Sequence, residues 1–101
     1  MGSDKKHFLL RLIPPRKSFT ADMSEEERRI MQAHVSYWAP YVKDGTMIVM
    51  GPVMDPEGGY GLGVIAVDDE DQLHRLLAAD PANGLNRYEV FLMRAVTRDN
   101  R

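Results

Sequence analysis

Apolar positions along the chain recur with two different periods, and the changes of period divide it into six elements. From His7 to Ile13 (HFLLRLI), Phe8, Leu10 and Leu12 fall on one side of an extended chain and Leu9, Arg11 and Ile13 on the other. That pattern predicts a strand with apolar groups on both faces. Pro14-Pro15 ends it, and the polar segment from Arg16 to Met23 reads as a loop long enough to lie over another part of the fold. At Ser24 the period becomes helical. Ser24 and Glu27 have capping-box spacing, and the run Glu25, Glu26, Glu27 suits the positive end of a helix dipole. Ile30, His34, Tyr37, Trp38 and Tyr41 share one helical face, so His34 sits within the apolar stripe. Pro40 predicts a kink or a fresh last turn, and Gly45 a left-handed stop.

The second strand, Thr46 to Met54 (TMIVMGPVM), is again apolar on both faces. Gly51-Pro52 within it marks an edge, a bulge or the strand's end, because proline cannot donate to a ladder. After the loop Asp55 to Gly59, Tyr60 to Val67 (YGLGVIAV) returns as the other arm of a hairpin. Asp68 or Asp69 caps a second helix whose inward face is Leu73, Leu76 and Leu77, continued at the same angle by Asp80. Pro81 closes it, Asn83-Gly84 turns, and Arg87 to Val96 is a fourth strand.

The order βαββαβ predicts an α+β, ferredoxin-like fold with a four-stranded antiparallel sheet and both helices on one face. Two helices cover one face, yet all four strands are apolar on both. An open face of that kind exceeds the roughly few hundred Å2 tolerated on a monomer. The pattern therefore predicts a homodimer through the sheet face, closing into a dimeric α+β barrel.

Composition narrows the function classes. The 101 residues suit one domain with polar tails at 1–6 and 97–101. With 13 basic and 15 acidic side chains the net charge is −2, and no long block of one sign is present. The field that nucleic acid or an anionic membrane requires is missing, so neither is an expected partner. There is no cysteine, which excludes disulfides and thiol catalysis. No apolar run approaches a membrane span, and Met1 to Lys6 lead into no signal-peptide-like stretch, so a cytoplasmic location is expected.

His34 and Asp80 are the candidate chemical pair. A lone histidine in a stripe is more often a core group held by one hydrogen bond, and Asp-Pro is a common turn opening. A carboxylate on a buried helix face at the carboxyl end nevertheless opposes the dipole, so it either has a cationic or donor partner or is protonated. The two helices lie side by side in this topology, an arrangement that permits His34 to reach Asp80 without establishing that the two touch. Such a pair gives an oriented imidazole fit for general acid or base work.

The segments QAHVSYW, MGP and LLAADPA followed by GL resemble the YciI-like proteins, small domains of the dimeric α+β barrel group. The resemblance runs from about Lys6 to Val96 and rests on His34, Gly51-Pro52, Asp80-Pro81 and Gly84-Leu85. It implies a homodimer and an active site centred on His34 and Asp80. Dehydrochlorination of a hydroxylated aromatic is the activity associated with that family.

Arg11, Trp38, Met50, Gly51, Pro52 and Pro81 are the expected substrate-binding residues, although the rim of the sheet is the more usual place for a residue like Arg11 and the core for one like Trp38. Gly59, Gly61 and Gly63 imitate a phosphate loop, but no helix follows them. They fit a bulge or a close backbone approach better. His7, His34 and His74 lack ligand spacing, so no metal is expected, and no cofactor motif is present. The expected partner is a small molecule. The leading reading is a small enzyme performing elimination, isomerisation or dehydrochlorination. The alternatives are a non-catalytic binding or regulatory domain with a structural His34–Asp80 pair, and a cofactor-free monooxygenase.

Overall fold

A computed structural model describes residues 5–98; the expected tail residues 1–4 and 99–101 lie outside them. The elements in chain order are β1 (Lys6–Ile13), α1 (Phe19–Asp22), α2 (Glu25–Lys43), β2 (Met47–Val53), β3 (Tyr60–Val67), α3 (Glu70–Ala78) and β4 (Arg87–Met93). The strands form one antiparallel sheet in the order β2-β3-β1-β4. This is the expected α+β, ferredoxin-like arrangement. β1 starts at Lys6, a residue the pattern assigns to the tail, and β4 ends at Met93, before Val96.

The local signals act where the pattern puts them. Ser24 accepts from the Glu27 amide while the Glu27 carboxylate accepts from the Ser24 amide, a complete capping box at the start of α2. α2 continues through Pro40 to Lys43, and Gly45 follows with φ of +89°, where a Cβ would be strained. Asp69 caps α3 by accepting from the Gln72 amide. Pro52 is tolerated because β2 is an edge strand, and a register shift lies between Met47 and Val49.

One segment departs from the pattern. Arg16 to Met23 is not all loop: Phe19–Asp22 makes a single helical turn, and Phe19 is buried at 3% exposure. Arg16 holds the turn against α2, donating to Asp22 and, with two nitrogens, to the Glu27 carboxylate at 2.8 and 2.9 Å. Its guanidinium also lies over the Phe19 ring.

Strand parity decides what each face does. Phe8 and Leu10 of β1, Ile65 and Val67 of β3 and Met47 of β2 form the core with Trp38 of α2 and Leu73 and Leu77 of α3, so both longer helices cover the same face. The opposite face presents Leu9, Arg11, Leu62, Val64 and Phe91, in register with one another, and no element of the described residues covers it. Phe91 and Val49 are about half exposed there, at 48% and 52%.

Candidate functional site

Asp80 follows directly on the C-cap of α3, where the helix carbonyls make a negative charge costly. Its backbone carbonyl accepts from the Asn83 amide, closing a turn with Pro81 at the second position. The side chain is completely buried and is satisfied by four donors. His34 Nδ1 lies 2.8 Å from Oδ2 and 3.0 Å from Oδ1, Trp38 Nε1 donates at 2.9 Å, the Tyr88 hydroxyl at 2.5 Å, and the Ala82 amide at 2.9 Å. Burial pushes this carboxyl up, but the bonds from His34, Tyr88, the Ala82 amide and Trp38 together outweigh it and hold it below the usual aspartate value. Burial and donation to Asp80 push the Tyr88 phenol up, so it remains a protonated donor.

The two helices are set for this contact. The Tyr37 hydroxyl on α2 donates to the Leu76 carbonyl on α3 at 2.6 Å, and Tyr37, Trp38 and Tyr41 pack with rings edge-on or tilted. Trp38 and His34 are one turn apart on α2, so both reach the carboxylate from the same side.

With Nδ1 facing a carboxylate, the neutral His34 ring carries its proton there and leaves the Nε2 lone pair free. Nε2 has no hydrogen-bond partner among the described residues. His34 lines a cleft of about 990 Å3 bounded by α1, α2 and the β2–β3 half of the sheet. Its floor is low because β3 places Gly61 and Gly63 inward, opposite Leu12 and Leu10 of β1. A Cβ at Gly61 would lie 3.2 Å from Leu12 Cβ, and one at Gly63 3.2 Å from Met47 Sδ, which is the close approach these glycines allow. Phe19 and Met23 close the cleft on the side of the α1 turn.

The expected binding residues separate into two groups. Trp38, Met50, Gly51 and Pro52 line the cleft with His34. Arg11 does not stand near His34: it lies on the opposite sheet face, 3.3 Å from Glu89 and stacked on the Tyr60 ring at 4.4 Å, because its strand neighbours Leu10 and Leu12 take the helix-covered face. Pro81 is exposed in the turn, where it shapes the backbone that carries Asp80 and does not line the cleft.

Tyr88 and the Ala82 amide are part of the site without having been singled out by the sequence. Tyr88 reads as one more apolar strand position, and an amide donor leaves no compositional mark. Alternation alone does place Tyr88 on the inward face of β4, opposite Leu12. The described residues hold no cluster of three or more metal-ligating side chains.

Compared with known proteins, the chain matches the model of the YCII-related domain over residues 8–95, which takes in every residue of the site. No curated protein matches it. No described helix is long and apolar enough to cross a membrane. With the fold, the histidine and the buried aspartate all inside the matched span, the chain belongs to the YCII-related domain family.

Proposed function

We propose that the protein is a small acid–base enzyme in which His34 Nε2 exchanges a proton with a substrate held in the cleft and Asp80 positions the ring. The observation that carries this reading is a free imidazole nitrogen at an apolar cleft, with the other nitrogen fixed by a fully buried carboxylate. Nε2 takes a proton from an acidic C–H or O–H, and the imidazolium so formed is stabilised by the Asp80 charge. Returning that proton to another atom gives isomerisation; expelling a leaving group such as chloride from the neighbouring carbon gives elimination. Asp80 touches no reacting atom and acts through the ring.

The test is a panel of chlorinated hydroquinones and cyclic ketones in deuterated buffer, followed by chloride release and deuterium incorporation. Loss of both in His34→Gln, with an unchanged circular dichroism spectrum, supports the reading. Turnover equal to wild type in the folded variant sinks it. The rival reading, a binding domain with a structural pair, draws on the four donors of Asp80, which tie α2, α3 and β4 together.

The active form in this reading is a homodimer through the open sheet face. Its apolar register of Leu9, Val64 and Phe91 supports that assembly, and so does the Arg11 Nε atom, buried with no acceptor among the described residues. A charge at Val64 (Val64→Glu) should yield monomers by light scattering; a dimer of unchanged stability contradicts it.

A further inference from the structure

We infer that the cleft beside His34 takes an uncharged, largely apolar molecule and discriminates against anions. This rests on the acid–base reading for the identity of the site and names the substrate class it would serve. The lining is dominated by leucine, methionine, valine, proline and aromatic side chains, and a volume of about 990 Å3 accommodates a molecule larger than a single ring.

The decisive feature is the charge inventory. No lysine or arginine lines the cleft; its ionisable lining residues are His34, Tyr60, Tyr88 and Asp55. Tyr88 keeps its proton, donating a hydrogen bond to Asp80, and contributes no charge. His34 rests on Asp80, so the pair is net negative when the ring is neutral and net neutral when it is protonated. Neither state offers a surplus positive charge, and Asp55, after the end of β2, adds a negative one.

The basic groups that sequence or position would suggest are engaged elsewhere. Arg11 is on the other face of the sheet with Glu89, and the Arg16 guanidinium is taken by Asp22 and Glu27. A phosphate or carboxylate entering here gives up water and meets apolar side chains and a negative charge. A neutral hydroxyl or primary amide loses far less and can still donate a hydrogen bond to the His34 Nε2 lone pair.

The experiment titrates the full chain with 2-naphthamide and 2-naphthoate, which match in shape and differ in charge at neutral pH, and reads heat by calorimetry. The amide is expected to bind at least about tenfold more tightly. Ala39→Phe, a substitution at an exposed lining position of α2, should weaken the amide and so locate it in the cleft. Asp55→Lys should raise the affinity for naphthoate and narrow the gap, leaving the amide unchanged. Equal or tighter binding of naphthoate by the unsubstituted chain, indifference of the amide to Ala39→Phe, or binding of neither probe overturns the inference. Failure of the acid–base reading shows separately, in turnover: if His34→Gln turns over like wild type and keeps the preference for the amide, that reading falls and the charge inference stands.

Discussion

Replacing Asp80 with Asn keeps the shape of the side chain and removes its charge, which makes the cost of rewiring a buried acceptor measurable. The Oδ1 position faces the Ala82 amide and His34; the Oδ2 position faces Trp38 Nε1, Tyr88 and His34. Whichever position the new NH2 takes, it meets a backbone or indole N–H, so at least one buried donor is left without an acceptor. That costs about 1–3 kcal/mol, and the bonds that remain lose their charge assistance, for a total of about 3–5 kcal/mol. In a domain of this size each kcal/mol lowers Tm by about 4–8 °C, so the variant should melt at least about 12 °C lower.

The sign of the pH dependence follows from the depressed native value of Asp80. Its contribution is complete above the ordinary 3.8 and is lost as pH falls through the lower native value. The gap between wild type and variant should therefore hold from neutral pH down to about 4 and close only below it. Urea unfolding followed by Trp38 fluorescence at a series of pH values measures this. A loss under about 1 kcal/mol at neutral pH would refute the description of Asp80 as a four-donor hub, as would a gap that closes well above the ordinary aspartate range.

Three further outcomes follow from other parts of the fold. Leu10→Ala, at a core position with 2% exposure, should lower unfolding free energy by about 2–5 kcal/mol in urea titration, and a loss below about 1 would mean the site is not packed as described. Gly45→Ala places a Cβ at φ of +89° and should destabilise by about 1 kcal/mol or more even though the space around it is open; a neutral result would show that α2 does not end in this conformation. The Arg16 guanidinium and the Ser24 amide draw the Glu27 carboxyl down to about 2 from 4.5, so its stabilisation is complete above the ordinary value and disappears as pH falls towards 2. Thermal melts of wild type and Glu27→Gln should thus converge between those limits, and superimposable melts at neutral pH would contradict the link between the α1 turn and α2.

The elements were legible because local chemistry specifies them. Alternation of two marked the strands, a period near four marked α2 and α3, and Ser24, Glu27, Asp69 and Gly45 fixed helix ends through bonds within a few residues. The same patterns named His34 and Asp80 as candidates and put Arg11 on the face opposite Leu10 and Leu12. They did not reveal which face the helices would cover, because both were apolar; that choice removed Arg11 from the cleft and left Arg16 to hold Phe19 over it. The convergence of His34, Trp38 and Tyr88 on a carboxylate from another element also lay beyond the pattern. Contacts spanning 46 and 42 residues depend on how α2 and α3 settle on the sheet, and periodicity within an element carries no information about its distance from another.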